Sequence, residues 1–95
     1  MAKLTQSSVD KRLASLSEWT QMGDAIQRTY DFADFVQAME FVKRVAVQAE
    51  EVQHHPDILI RWNKVTLTLS THDAKGLTVK DFDSAKAYDD MYGGG

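Results

Sequence analysis

The sequence predicts an α+β protein whose elements follow one another in the order helix, strand, strand, helix, strand, strand, helix. Three observations predict this order. The middle of the chain carries a long apolar stripe at helical spacing, the segments on either side alternate between apolar and polar residues, and a helix-capping signal precedes each of the last two helices. Strands joined by such short turns pair antiparallel, so we expect an antiparallel sheet.

The composition is that of one small domain with a single core. The chain has 95 residues, of which 43% are hydrophobic, and this is enough to form a packed interior. No internal repeat or low-complexity segment interrupts the sequence. We therefore expect one domain over residues 1–92, followed by a flexible glycine tail at residues 93–95.

Charge and cysteine content narrow the class of protein. The net charge of −3 gives the chain no general attraction to nucleic acid, so we expect no direct nucleic acid binding. The absence of cysteine excludes disulfides and thiolate metal sites, and it fits a cytoplasmic protein. No apolar run approaches the ~20 residues that cross a membrane, and the N-terminus lacks the apolar stretch of a signal peptide.

The first part of the chain predicts a short helix and a first pair of strands. The helix is expected over residues 8–16, with Ser7 or Ser8 as its cap. Its apolar face consists of Val9, Leu13 and Leu16. Strands over residues 19–22 and 25–32 follow, joined by a Gly-Asp turn.

Two further helices are marked by capping signals. Asp34 as N-cap and Gln37 three residues later begin a long helix that continues to about Val52. The stripe that we expect to face the core consists of Phe35, Met39, Val42, Ala46 and Ala49, widened by Phe41, Val45 and Val52. A last helix begins near Thr78, and its apolar face consists of Phe82, Ala85 and Tyr88.

A β-hairpin is predicted between these two helices. If Asn63 and Lys64 form a two-residue turn, Trp62 lies opposite Val65 and the register of both strands is determined. The face expected to join the core then consists of Ile58, Ile60, Trp62, Val65, Leu67 and Leu69. Polar residues occupy most of the other face.

All three histidines fall between residues 54 and 72, around this hairpin. The predicted register places His55 opposite His72, with Cβ atoms ~4.5–5.5 Å apart. Glu50 precedes the histidine pair and Asp81 follows in the first turn of the last helix. Because imidazole titrates nearest to neutral pH, such a cluster indicates proton transfer or metal binding.

Each of these residues also has a structural interpretation. His54 can interact with the end of the long helix, Asp81 can cap the last helix, and Glu50 and Glu51 can be solvated helix residues. Zinc binding is the chemical alternative. However, the adjacent His54 and His55 point to opposite sides of an extended segment, which makes a compact three-histidine site difficult. With no cysteine nucleophile and no serine elbow, general acid–base chemistry is favoured.

The spacing of these residues resembles a known family. The pattern Glu50-x3-His54-His55-Pro56-x5-Trp62-x9-His72-x8-Asp81 is similar to the signature of the pterin-4a-carbinolamine dehydratases. Flanking stretches also resemble that family, including Arg44-Val45-Ala46, Asn63-Lys64-Val65 and Gly76-Leu77-Thr78. The resemblance implies a four-stranded antiparallel sheet with three helices packed on one face.

The resemblance also implies a reaction and roles for the matching residues. The reaction is the loss of water from a 4a-hydroxytetrahydropterin to give the quinonoid dihydropterin, with no metal or redox cofactor. The implied catalytic residues are His54, His55 and His72, with Glu50 and Asp81 as orienting partners. The implied contacts to the pterin involve the backbone of Ser70 and Thr71, together with Trp62 and Pro56.

Several features stay open at the level of sequence. Family members form homodimers or homotetramers, and animal members also assist a homeodomain transcription factor. An interaction or assembly module of the same fold, or a dehydratase of another pterin or molybdopterin pathway, is therefore the alternative function. Gln53 departs from the acid that some members carry before the histidine pair. The sequence does not show which histidine is the acid and which the base.

Overall fold

The computed structural model describes residues 2–93 and contains the predicted elements in the predicted order. The helices are α1 (Gln6–Leu13), α2 (Phe35–Val52) and α3 (Val79–Gly93). The strands are β1 (Thr20–Met22), β2 (Ala25–Asp31), β3 (Asp57–Arg61) and β4 (Lys64–Leu69), and a 3₁₀ turn (His72–Ala74) follows β4. Gly93 ends α3, so it is helical, and the rest of the predicted glycine tail lies outside the described residues.

The four strands form one antiparallel sheet in the order β1-β2-β4-β3. Each strand pair predicted from the sequence is a hairpin, and the two hairpins join through β2 and β4 at the centre of the sheet. The long helix α2 connects them. The α+β class and the antiparallel sheet are therefore confirmed.

The three helices cover one face of this sheet. Residues that alternate along the two central strands are completely buried there, namely Ile26, Tyr30, Val65, Leu67 and Leu69. The opposite face is polar, and on it the hydroxyl groups of Thr29 and Thr66 lie 2.8 Å apart on neighbouring strands. None of the helices within residues 2–93 has the length and apolar character that crossing a membrane requires.

A carboxylate in α3 ties the second half of this helix to the sheet. Asp89 Oδ1 accepts hydrogen bonds from Trp19 Nε1 at 3.0 Å, from Arg28 at 2.8 Å and from the Tyr30 hydroxyl. Burial raises the pKa of Tyr30 well above its usual value, and the bond to Asp89 adds to this effect. Because the groups joined are largely buried, α3 is fixed against β2.

The first helix begins earlier than predicted. Thr5 is its N-cap, and the Thr5 hydroxyl accepts a hydrogen bond from Ser8 N at 3.2 Å, so neither Ser7 nor Ser8 is the cap. The helix ends at Leu13. Leu16 is nevertheless buried, because the chain after the helix turns back onto the core.

The boundaries of α2 are as predicted, but only part of the predicted apolar stripe is buried. Asp34 caps the helix by accepting from Gln37 N at 2.8 Å, and the helix continues to Val52. The buried residues are Ala38, Phe41, Val45 and Ala49. Phe41, Val45 and Ala49 of the predicted stripe are therefore buried as expected. The other predicted members are not, since Phe35 and Val52 are 47% and 46% exposed and Met39, Val42 and Ala46 are only partly buried or exposed. The helix is apolar on more than one side, so its spacing alone does not select the buried one.

The predicted register of the β3–β4 hairpin was wrong by two residues. Arg61 pairs with Lys64, so Trp62 and Asn63 form the turn. Asn63 is held by the neighbouring strand, since its side chain donates to Phe32 O at 2.9 Å and its carbonyl accepts from Phe32 N at 2.8 Å. This places Lys64 in β4, beside Asp31, and Trp62 takes the left-handed conformation with φ of 52°.

This register has two consequences for the predicted site. A shift by two residues keeps the side chains within the two strands on their predicted faces, but β4 ends at Leu69 and the pairing of His55 with His72 across a ladder does not form. Trp62 is 67% exposed at the turn, so it belongs neither to the core nor to the end of the hairpin where the histidines lie.

We expect replacement of Trp62 by glycine to stabilise the fold by about 0.5–1 kcal/mol. A left-handed conformation costs a residue with a side chain about 1–2 kcal/mol, and the greater chain entropy of glycine offsets about half of this. Asn63→Gly should instead destabilise by about 1–2 kcal/mol, because it removes the bond to Phe32. Urea unfolding measures both changes. A turn at Asn63 and Lys64 would reverse the two signs.

Candidate active site

Three chain segments converge on an open cleft of about 260 Å³. They are the end of α2, the segment after β4 and the first turn of α3. The residues that line the cleft are Gln53, His54, His55, Ser70, Thr71, His72, Asp73 and Lys80. The structure thus brings together all three histidines, by convergence of element ends instead of by the predicted strand pairing.

The end of α2 directs the two adjacent histidines to different sides. Gln53 has a left-handed backbone with φ of 53°, and His54 N donates to Ala49 O at 3.1 Å, which closes the helix. The Gln53 side chain also donates to Glu50 O at 2.6 Å. His54 is buried and His55 is exposed, as expected for neighbours in a chain that leaves a helix in an extended conformation.

His54 is anchored on a buried carboxylate. Its Nε2 lies 2.6 Å from Asp81 Oδ1, and Asp81 has no exposed surface. The other oxygen of Asp81, Oδ2, accepts from the Thr71 hydroxyl at 2.8 Å and from Thr78 N at 2.9 Å. A buried carboxylate requires such compensation. Asp81 therefore acts both as the predicted helix cap and as the partner of an imidazole.

His55 has a carboxylate partner of a different kind. Its Nε2 lies 2.5 Å from Glu50 Oε2, and both side chains are more than half exposed. Glu50 lies in the last turn of α2, so the helix itself presents the carboxylate to the histidine. Because solvent screens this pair, its contribution is orientation of the ring and little stability.

His72 completes the group of imidazoles on the other side of the cleft. It begins the 3₁₀ turn, which is closed by a hydrogen bond from Lys75 N to His72 O at 3.0 Å. The imidazole is exposed and makes no hydrogen bond or ion pair to another residue of the described chain. One ring of the site is therefore free to follow a ligand.

The remaining residues predicted for the site differ in how close they lie to the cleft and in their hydrogen-bond partners. Ser70 donates its hydroxyl to Asp24 O at 2.9 Å. The backbone N–H and C=O of Thr71 bond with Gly76 at 3.0 and 3.3 Å, and its hydroxyl bonds with Asp81 and Thr78. Pro56 is partly buried just before β3, while Trp62 lies at the other end of the hairpin.

Sequence reasoning missed three residues of this region. Thr78 is completely buried and bonds with both Thr71 and Asp81. The pattern Thr-x-x-Asp predicted the start of the last helix, but the sequence did not connect Thr78 with the site. Asp73 and Lys80 line the cleft without a motif that marks them.

The described part of the chain, residues 2–93, holds no group of three or more histidine and carboxylate residues arranged to bind a metal ion. The Nε2 atoms of His54 and His55 face different carboxylates. What the site can do with its own side chains is hold imidazole nitrogens against carboxylates and exchange protons with a bound compound.

Comparison with known proteins decides the family. A family model described as pterin 4 alpha carbinolamine dehydratase matches residues 2–91. The chain belongs to this family. A relative from Roseiflexus castenholzii, named "Putative pterin-4-alpha-carbinolamine dehydratase", is 50% identical over 90 residues, which are 95% of this chain and 97% of the relative. A relative from Acidobacterium capsulatum with the same name is 53% identical over 85 residues, 90% of this chain and 92% of its own.

Solved structures agree with this result. The crystal structure of a "transcriptional coactivator/pterin dehydratase" from Brucella melitensis has a TM-score of 0.91 and 33% identity, and the match covers 95% of this chain and 98% of that one. A pterin dehydratase-like protein identified as a RuBisCO assembly factor has a TM-score of 0.71 at 23% identity, covering 80% and 90%, and shares the fold. Membership of the family supports pterin carbinolamine dehydratase activity, which is a hydro-lyase reaction.

We expect this activity, if measured on chemically generated substrate, to survive removal of metal ions. The histidines are held by separate carboxylates, and proton transfer needs only these side chains. The measurement is the dehydration rate before and after dialysis against a chelator. Loss of the rate on dialysis and its return with Zn²⁺ would show that the metal interpretation is the better one.

Proposed function

We propose that this protein removes water from 4a-hydroxytetrahydropterin and forms the quinonoid dihydropterin by histidine acid–base catalysis. The observation that carries the proposal is the meeting of three imidazoles in one cleft, two of them paired with carboxylates, in a chain of the dehydratase family. The volume of about 260 Å³ lies just below the roughly 300–1,000 Å³ usual for ligand pockets, and this favours a small ring compound.

The reaction needs two proton transfers. The bond between C4a and the hydroxyl oxygen breaks, and the oxygen leaves as water after it receives a proton. N5 loses its proton, and the electron pair of that N–H bond forms the new double bond between N5 and C4a. One donor and one acceptor near neutral pH therefore suffice, and each contributes about 10²–10⁴-fold to the rate.

The surroundings of the histidines suggest how these roles are divided. We assign the N5 proton to His55, because the Glu50 carboxylate on its Nε2 compensates the charge that the ring gains. His72 has no carboxylate partner in the described chain and donates to the leaving hydroxyl. His54, held by Asp81, polarises that hydroxyl from the inner side of the cleft.

The physiological setting follows from the substrate class. A protein with this activity would return the by-product of aromatic amino acid hydroxylases to the tetrahydrobiopterin cycle, and we propose this role in the cytoplasm. A dehydratase of another pterin or molybdopterin pathway would use the same site. A coactivator role, of the kind named for the Brucella melitensis protein, is the alternative from a different class. Retention of all three histidines favours the enzyme.

We expect His55→Ala and His72→Ala each to lower the dehydration rate by 10²–10⁴-fold, or about 3–5 kcal/mol of transition-state stabilisation. The double variant should lose less than the sum, because residues that act as a unit are not additive. The measurement is turnover above the uncatalysed background, with circular dichroism as a check on folding.

Leu59→Ala is the matched control for these variants. Leu59 is 56% exposed on β3, remote from the cleft, so its loss should change the rate little. Folded His55→Ala and His72→Ala proteins with rates within about threefold of the wild type (under ~1 kcal/mol) would contradict the acid–base assignment. The interaction module would then be the better interpretation.

We also propose that copies of the chain associate into a homodimer or homotetramer. Val36 and Val47 are 66% and 59% exposed and lie on the same side of α2, three helical turns apart. The edge strand β3 exposes Leu59 and leaves one row of backbone groups unpaired. Both features are typical of surfaces that a second copy covers.

Sedimentation of the purified protein at micromolar concentration should therefore give a mass that is a multiple of 10.7 kDa. Val47→Glu should lower this mass if α2 forms the contact, and Leu59→Lys should lower it if the edge of β3 does. A wild-type protein that sediments only as a 10.7 kDa species would refute the proposal.

A further inference from the structure

Below the cleft, two threonine hydroxyls form a chain that ends on the buried carboxylate of Asp81. The Thr71 hydroxyl lies 2.8 Å from Asp81 Oδ2 and 2.9 Å from the Thr78 hydroxyl. Thr78 has no exposed surface, and its backbone N–H donates to the same Oδ2 at 2.9 Å. Oδ1 is left for the imidazole of His54.

The direction of the hydrogen bonds in this chain is determined by the number of hydrogens. An ionised carboxylate only accepts, so the single hydroxyl hydrogen of Thr71 is donated to Asp81. The hydrogen between the two hydroxyls then belongs to Thr78. A threonine at the start of a helix usually serves the helix alone, but this one directs its hydrogen to the segment after β4.

Counting hydrogen-bond donors in the same way also determines which nitrogen of His54 is protonated. With Oδ2 occupied by two donors from different segments, the carboxylate is held at both of its edges and presents Oδ1 as an acceptor. The nitrogen that faces Oδ1, which is Nε2, must then carry the hydrogen. His54 is thereby held as the Nε2–H tautomer.

We infer that Thr71 and Thr78 are positioning residues that hold Asp81 so that His54 keeps Nδ1 as its one nitrogen free for a ligand. The inference rests on the proposed function only in assigning that ligand as the pterin hydroxyl. His55 has no comparable support, because its partner Glu50 is exposed and accepts no hydrogen bond from a threonine.

The open face of the sheet supplies a matched control. Thr29 and Thr66 form a pair of hydroxyls 2.8 Å apart, with the same chemistry and nearly the same spacing, but on a partly exposed surface far from Asp81. Thr66→Val removes one hydroxyl from a pair of threonines, as Thr71→Val does, without touching a carboxylate.

The tautomer is measured directly by nuclear magnetic resonance on protein labelled with ¹⁵N-histidine, at alkaline pH where neutral imidazole predominates. Only three histidines contribute signals, and loss of one set in His54→Gln identifies the ring. We expect the Nε2–H pattern for His54 in the wild type and a mixture of tautomers in Thr71→Val. The Nδ1–H pattern in the wild type would overturn the inference, whether or not the protein is a dehydratase.

The second measurement is the turnover of 4a-hydroxytetrahydropterin. Thr71→Val should lower the rate by about 10–100-fold, the loss typical when a partner that orients a metal-binding histidine is removed. Thr78→Val should lower it in the same direction but less, and Thr71→Ser should restore it to within about threefold of the wild type. Thr66→Val should leave it unchanged.

The tautomer measurement and the turnover measurement together distinguish failure of this inference from failure of the proposed function. A wild-type protein without dehydratase activity would refute the proposed function, and the tautomer of His54 would still decide the role of the threonines. Equal rates in Thr71→Val and Thr66→Val, with an unchanged tautomer, would overturn the inference. If Thr71→Val does not fold, the rate and spectrum of Thr78→Val, together with the wild-type spectrum, test the inference instead.

Discussion

The arrangement of the candidate active site depends on one buried carboxylate, that of Asp81. Asp81 is withdrawn from solvent, and an ionised group in that position is unfavourable unless hydrogen bonds compensate it. Its three donors come from the end of α2, from the segment after β4 and from the start of α3. The cost of leaving this charge unpaired therefore forces three distant parts of the chain to meet, and the cleft lies where they meet.

The helix that carries Asp81 is also held at its other half. Asp89 binds Trp19, Arg28 and Tyr30 of the neighbouring segments, and Arg28 lies over the Tyr30 ring at 4.3 Å from its centre. Tyr88, which precedes Asp89, is completely buried, and this burial raises its pKa to about 12. With both halves of α3 fixed, the carboxylate has little freedom to move, and a site built on such elements keeps its geometry.

Much of the fold could be predicted because it rests on local patterns. The capping residue Asp34 and the apolar spacing after it determine α2, and alternation determines which side chains share a face of each strand. The register of the second hairpin could not be read locally, since Asn63 is held by Phe32 from a distant part of the chain. Asn63 still belongs to the turn, but the contact with Phe32 places it at the second turn position instead of the first, which its residue type alone does not determine.

In the candidate site, too, the features that depend on nearby residues could be predicted and those that depend on tertiary contacts could not. The clustering of the histidines and the pairing of Glu50 with His55 follow from residues close in sequence. The bond from Thr78 to Asp81 is local and follows the capping pattern at the start of α3. The bond from Thr71 to Asp81 depends on how the segment after β4 packs against α3, and no sequence pattern marks it. Family membership supports the general dehydratase activity. The proposed division of roles among the imidazoles rests instead on these contacts.

The measurement that tests the account most directly is the rate at which the wild-type protein consumes chemically generated 4a-hydroxytetrahydropterin near neutral pH. The account predicts an acceleration of at least about 10²-fold over the reaction in buffer, the contribution expected of even one positioned imidazole. A folded protein that leaves the rate at the level of buffer would contradict it.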